Sequence, residues 1–160
     1  MEKVVFRQKK SYIDKVNKVN TPDYVLIILK SGAFMSRNSV LKVKSFEFAV
    51  RVVNLYKFLK KNNTAYELAG QLLRAGTAIG AMVREAEHAS SRKDFAHKLS
   101  IGLKEANETI FWIELLFATG HIDKRMFESI SKDATELLKM LIASIKTTRT
   151  NESAKVKVSN

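Results

Sequence analysis

Helix-breaking residues are scarce in this sequence, and their scarcity limits the folds that the chain can adopt. One proline and six glycines occur among 160 residues, and Pro22 precedes every segment with a clear helical period. Proline and glycine interrupt helices most strongly, so the remainder of the chain can form long helices. The length is that of one domain able to bury a substantial core. We therefore expect an all-α domain.

Four segments beyond residue 44 repeat apolar residues at intervals of three or four, which is the spacing of one helix face. These segments begin near Ser45, Thr64, Ser91 and Asp123. The connections between them, at 62–64, 90–91 and 120–122, are short, and short connections make successive helices antiparallel. The sequence therefore predicts an antiparallel up-down-up-down four-helix bundle over residues 45–146.

Local sequence also marks the ends of these helices. Thr64 opens a Thr-x-x-Glu capping box, and Ser91 opens a similar Ser-x-x-Asp pattern. Gly120 is the residue type that commonly ends a helix, and Asp123 is a favourable cap for the fourth helix. Thr64, Ser91 and Asp123 are thus the predicted N-caps.

The two ends of the chain lack the helical periodicity of the bundle segments. Residues 1–44 are interpreted as an N-terminal extension, poorly ordered or the result of a mis-assigned start, with translation able to begin at Met35. The competing interpretation is a strand formed by the β-prone run 24–29, which would pair with a partner or another subunit. Residues 147–160 are polar and basic, and are predicted to be a disordered tail.

The charge balance points to a polyanionic partner. The chain has 28 Lys and Arg against 16 Asp and Glu, a net charge of +12, yet residues 45–145 carry fourteen basic and twelve acidic residues. Basic flanks favour nucleic acid, although solvated lysines that only maintain solubility are an equal alternative. The candidate phosphate contacts are Lys42, Lys44, Arg74, Arg92, Lys93, Lys98 and Lys104.

Several classes of protein are disfavoured by what the sequence lacks. The absence of cysteine excludes disulfides, thiolate metal sites and a cysteine nucleophile. No apolar run is long enough to span a membrane, and no signal peptide is evident, so we expect a cytoplasmic protein. Phosphate-binding glycine loops, nucleophile elbows and zinc signatures do not occur. We expect neither catalysis nor a cofactor.

Three stretches of the second and third segments are distinctive. They are residues 71–81, then Arg84-Glu85-Ala86 followed by 89–95, and finally 98–109 with Trp112. Together they resemble the bacterial four-helix-bundle family that is encoded in intervening sequences of 23S ribosomal RNA genes. The resemblance covers about residues 42–145, and it leaves residues 1–34 without a counterpart. The chain is also similar, more remotely, to the accessory variability proteins of diversity-generating retroelements.

The resemblance implies a ring-shaped homopentamer that binds RNA or DNA and has no known catalytic activity. The retroelement proteins work with a reverse transcriptase and its RNA, so the resemblance also suggests a reverse-transcriptase-like partner. The sequence itself supports association, because Phe111 and its neighbour Trp112 cannot both face one core. We expect an oligomer interface at Phe111, Trp112 and Leu115, with base stacking by an exposed aromatic ring as the alternative.

Two sequence patterns resemble those of catalytic or metal-binding sites. Arg92 and His97 have the Arg-x4-His spacing of HEPN-type ribonucleases, which gives the alternative function of RNA cleavage. Glu85 and His88 form a Glu-x-x-His, but a di-iron bundle needs this motif on two helices, and we expect no metal. A third interpretation is a protein-interaction scaffold without any nucleic-acid role.

Three charged residues lie within or beside apolar stripes. We expect them to form one structural network between the second and third helices, since partly buried Arg–carboxylate pairs fix which helices face each other. They are Arg84, Glu85 and Glu108.

Overall fold

The computed structural model describes residues 37–62 and 64–158, with side chains over 40–62 and 64–150. These residues form α1 (Arg37–Lys61), α2 (Tyr66–Ala86), α3 (Arg92–Ala118) and α4 (Lys124–Val158). No strand occurs within those two ranges. The prediction of an all-α four-helix fold is confirmed. The interpretations of residues 1–36 lie outside the described part of the chain.

Pairs of contacting residues fix the direction of each helix relative to its neighbours. In α2 and α3, Arg74 contacts Glu108 while the later Glu85 contacts the earlier Lys98, so these helices are antiparallel. Between α3 and α4, Gly102 lies near Leu141, and the later Phe117 lies against the earlier Phe127. These two helices are therefore antiparallel as well. The pairs Val52–Gly76 and Ser45–Gly80 make α1 and α2 antiparallel as well. Each helix therefore returns alongside the one before it.

One apolar core runs through the bundle. It is lined by residues three or four apart on each helix, and its largest fully buried side chains include Phe48, Leu55, Leu72, Ile79, Leu99, Ile113, Leu116, Leu137 and Leu141. Burial of each leucine or isoleucine contributes about 1.5–3 kcal/mol. None of the described helices is long and apolar enough to cross a membrane.

A polar cluster ties α1 to α4 beside the core. Arg51, whose side chain is 14% exposed, forms an ion pair with Asp133. Its guanidinium also donates to the hydroxyl of Ser129 at 2.7 Å and to the carbonyl of Ser129 at 3.2 Å. A planar donor group that reaches two residues of α4 fixes how the two helices are aligned.

The predicted start of α1 is wrong, since the helix begins at Arg37 rather than Ser45. Its buried face includes Leu41 one turn before Ser45, and Ser45 itself is 1% exposed. The serine hydroxyl donates to the carbonyl of Lys42 at 3.0 Å, which satisfies it inside the core. Gly80 of α2 faces this residue, and a Cβ atom at Gly80 would make an ordinary contact of 3.4 Å with the carbonyl oxygen of Ser45.

The predicted capping box at Thr64 is also wrong. The residue before α2 is Ala65, in the left-handed conformation (φ 49°), and no side chain caps the helix. The backbone N–H of Thr64 donates instead to the carbonyl of Leu59 at 3.2 Å. Thr64 therefore completes the C-terminus of α1 and does not open α2.

The predicted caps of α3 and α4 are confirmed. The hydroxyl of Ser91 accepts from the backbone N–H of Asp94 at 3.1 Å, although the Asp94 carboxylate accepts from Ser90 N–H and not from Ser91. Gly120 adopts φ 75° just after α3, a conformation that glycine tolerates best. The carboxylate of Asp123 accepts from Met126 N–H at 2.9 Å.

The predicted end of α4 near Thr147 is wrong, because the helix continues to Val158. The hydroxyls of Thr147, Thr148 and Thr150 each donate to the backbone carbonyl four residues earlier, at 2.9–3.0 Å. This bonding places threonine in a helix without an unsatisfied hydroxyl. Residues 147–158, predicted to be a disordered tail, are therefore helical in the structure.

Candidate nucleic-acid interface

Four of the seven predicted phosphate contacts are engaged in ion pairs. Three pairs join two helices, and one joins α1 to the turn after α2: Lys44–Glu136 at 2.9 Å, Arg74–Glu108 at 2.7 Å, Lys98–Glu85 at 2.8 Å and Lys42–Glu87 at 2.7 Å. A lysine or arginine held by a carboxylate must give up that contact before it neutralises a phosphate. These four are therefore weaker candidates than the sequence suggested.

The other three predicted contacts are available. Arg92, Lys93 and Lys104 lie exposed on α3, and within residues 40–62 and 64–150 none of them has an ion pair or hydrogen-bond partner through its side chain. Arg92 and Lys93 occupy the first turn of the helix, whereas Lys104 lies near its middle. Arg92 and Lys93 therefore form a pair of available cations at the N-terminal end of α3, and Lys104 is a single cation on the side of the helix.

The carboxylate partners stabilise the charged form of two lysines. The hydrogen bond to Glu136 raises the pKa of Lys44, with partial burial acting in the opposite direction. The hydrogen bond to Glu85 likewise raises the pKa of Lys98, helped by the charge of the same carboxylate. Both lysines remain cations throughout the physiological range.

The expected single network of Arg84, Glu85 and Glu108 is wrong. Glu85 pairs with Lys98, whereas Glu108 accepts from Arg74 and from the indole N–H of Trp112 at 3.1 Å. Eleven residues separate Arg74 from Glu85, or about 16 Å along α2, so the two carboxylates belong to different ion pairs. The guanidinium of Arg84 lies 6.0 Å from the centroid of the Phe46 ring.

The predicted oligomer interface forms a mixed patch on α3. Phe111 is 53% exposed, and its ring meets that of Trp112 edge to face, with 4.9 Å between centroids. Trp112 and Leu115 are half-buried, and the indole N–H of Trp112 is satisfied by Glu108. The patch offers an exposed aromatic ring on a fixed support, which suits either a second subunit or a stacked base.

The residues of the ribonuclease alternative do not converge. Arg92 and His97 are both exposed, and residues five apart on α3 point about 140° away from each other. Concerning metals, no group of three His, Asp or Glu side chains suited to a metal ion occurs among the described residues. Glu85 and His88 therefore lack further ligands within that part of the chain.

The sequence interpretation missed cations near the C-terminus because it placed them in a disordered tail. Lys146 and Arg149 are exposed residues of α4. Because α4 is antiparallel to α3, they lie at the same end of the bundle as Arg92 and Lys93. The signal available in the sequence was the row of threonines, whose hydroxyls fit a helix as well as a loop.

Comparison with known proteins agrees with this fold. The model of the 23S rRNA-intervening sequence protein family matches residues 37–143. The chain belongs to this family. A crystal structure of a protein of unknown function from the S23 ribosomal protein family of Bacteroides thetaiotaomicron VPI-5482 is 54% identical, with a TM-score of 0.68. The similarity covers 69% of this chain and 99% of that protein. Among curated proteins, none is similar enough to match.

The 23S rRNA-intervening sequence family match also bears on the extent of the bundle. It begins at residue 37, where α1 begins, and stops at residue 143. The last part of α4, up to Val158, therefore lies beyond the matched region.

Proposed function

We propose that the chain is a non-catalytic, homo-oligomeric helical bundle that binds RNA or DNA through contacts with phosphates. The observation that carries this proposal is the state of Arg92, Lys93 and Lys104, which are exposed and unpaired among the described residues. Exposed cations bind phosphate by releasing its counterions and need not break an existing ion pair. Contacts of this kind position a nucleic acid and read little of its sequence.

Filter binding of a short RNA duplex over a salt series tests the proposal. The logarithm of the binding constant should fall linearly with the logarithm of salt concentration, steeply between about 50 and 200 mM. A DNA duplex of the same sequence should bind with a comparable slope, since the contacts are to the backbone. An absence of binding even at the lowest salt would contradict the proposal.

The oligomeric part of the proposal rests on the aromatic patch of Phe111, Trp112 and Leu115. A ring that is half exposed on a fixed support is the kind of residue that subunit interfaces contain more often than other surfaces. Closed cyclic symmetry would bury such a patch on every subunit without forming filaments. The number of subunits implied by the family resemblance is five.

Ribonuclease activity is the second candidate, and the divergence of Arg92 and His97 argues against it. Its test is an RNA cleavage assay, with and without divalent metal, on the wild type and on His97→Ala. We expect the two proteins to be alike. Cleavage that disappears in His97→Ala would make the ribonuclease the better interpretation.

A further inference from the structure

Three segments that are distant in sequence meet at one end of the bundle. The ion pair Lys42–Glu87 places the beginning of α1 beside the turn between α2 and α3. The ion pair Lys44–Glu136, with Arg51 on Asp133, makes α4 antiparallel to α1. The residues of α4 that follow Glu136 therefore run toward the same end. This basic end comprises residues 37–44, 84–98 and 139–158.

The excess of positive charge in the bundle lies almost entirely at the basic end, where Glu136 of the adjoining segment offsets one cation by pairing with Lys44. Residues 37–44 carry three basic residues and no acidic one, residues 84–98 carry four and three, and residues 139–158 carry five and one. The basic end therefore has twelve Lys and Arg against four Asp and Glu. The remaining residues of the bundle, 45–83 and 99–138, carry nine basic and nine acidic residues and are neutral. The bundle is thus not uniformly basic, and an anionic partner is attracted to one end.

Helix stability does not account for the two cations at the start of α3, although the cations near the C-terminal ends of α2 and α4 suit the helix dipole. Arg92 and Lys93 occupy the first turn of α3, where the partial positive charge of the helix dipole disfavours cations. The basic end also extends past the other helices. The 35 residues of α4 span about 52 Å, whereas the 21 residues of α2 span about 31 Å. The part of α4 beyond residue 150, here called the overhang, carries two basic residues, Lys155 and Lys157, and one acidic residue, Glu152.

We propose that the basic end is the main surface that binds the phosphodiester backbone of a nucleic acid, and that the neutral sides of the bundle, where Lys104 lies, add at most a minor contact. This inference rests on the proposed function and gives it a location. Arg92, Lys93 and Lys146 are exposed there without a side-chain partner among residues 40–62 and 64–150. The overhang of α4 lies outside the region that the family model matches.

Two triple variants of the full chain with equal loss of charge test the location. The first, Arg92→Gln with Lys93→Gln and Lys146→Gln, removes three cations from the basic end. The matched control removes three exposed cations without a described partner from the opposite end, Lys57→Gln with Lys61→Gln and Arg125→Gln. Each protein is titrated with an RNA duplex and with a DNA duplex of the same sequence over a salt series. Circular dichroism checks that both variants keep their helices.

The variant of the basic end should lose affinity at least tenfold at low salt, and its salt slope on DNA should become less steep by about 2.7, or 0.9 for each phosphate contact. The control should keep the wild-type slope. Equal losses in both variants would overturn the location while leaving the proposed function in place. An absence of binding by the wild type would overturn the proposed function itself.

Discussion

Gly76 lies so close to Val52 that a Cβ atom built on the glycine would be 2.7 Å from Cγ2 of the valine and 2.8 Å from Cγ1. Val52 is fully buried, and a β-branched residue in a helix has one strongly preferred rotamer. The valine cannot turn aside to admit a methyl group. The close approach of α1 and α2 therefore depends on glycine at position 76.

Gly76→Ala should destabilise the protein by about 1–2 kcal/mol. Overpacking a core costs about 1–3 kcal/mol, and the better helix propensity of alanine recovers at most about 1 kcal/mol. Gly70→Ala is the matched control on the same helix, since nothing lies within 4 Å of a Cβ atom there, and it should stabilise by about 0.5–1 kcal/mol. Urea denaturation measures both changes. Equal stabilisation by the two substitutions would mean that the helices can separate without cost.

Ser91→Ala should lower the free energy of unfolding by about 1 kcal/mol, because it removes the hydroxyl that accepts from Asp94 N–H. Thr64→Ala should have a smaller effect, since the Thr64 hydroxyl does not cap α2. Chemical denaturation of both variants compares the two sites directly. A larger loss at Thr64 than at Ser91 would restore the capping box that the sequence suggested.

The contrast between these two sites shows how much of the fold the sequence could predict. The caps at Ser91 and Asp123 depend on residues three positions apart, and such local signals were read correctly. At Thr64 the same local signal was misleading, because the backbone of Thr64 bonds to Leu59 at the end of α1. The start of α1 was missed for a related reason. Ser45 is buried because it faces α2, and that contact is not visible in the local sequence of α1.

The candidate site was harder to predict than the helices. Ion pairs such as Lys42–Glu87 and Arg74–Glu108 depend on the register of two packed helices, which periodicity within one helix does not set. The sequence could show that Lys42 and Arg74 are basic but not that carboxylates hold them. The concentration of charge at one end required the helix directions and the full length of α4.

Arg92→Gln combined with Lys93→Gln should not destabilise the protein and should raise its stability, by about 0.3–1 kcal/mol for each removed charge. The reason is that both cations lie in the first turn of α3. Thermal unfolding at low ionic strength measures the change, and added salt should diminish it. A clear loss of stability would indicate that the two side chains support the bundle and are not available for a ligand.

The Lys44–Glu136 pair should make a pH-dependent contribution to stability at alkaline pH. Its hydrogen bond raises the pKa of Lys44 above the ordinary value of 10.5. The contribution is therefore fully present below that ordinary value and is lost as pH rises through the raised pKa. The stability difference between wild type and Lys44→Gln, below about 1 kcal/mol for an exposed pair, should be constant at neutral pH. It should shrink above pH 10.5, and a difference that persists unchanged would contradict the assignment.

Phe111→Ser should weaken self-association while leaving the subunit fold intact, because the ring is 53% exposed and fills no core position. Light scattering after size exclusion should give a pentamer of about 90 kDa for the wild type, from an 18.1 kDa chain, and a lower mass for the variant. Ile142→Ser, at an exposed apolar residue on α4, is the control and should keep the wild-type mass. A monomeric wild type would remove the oligomer from the proposal.

The confinement of excess charge to one end gives the bundle a permanent electric dipole along its long axis. Such a particle rotates in the field of a polyanion before contact, so the field selects which end arrives first and raises the association rate at low salt. Cyclic assembly would keep this orientation, since every subunit of a ring points the same way along the symmetry axis. If the bundles stand parallel to that axis, the ring has one strongly basic face and one nearly neutral face, and the like charge of two basic faces opposes their stacking.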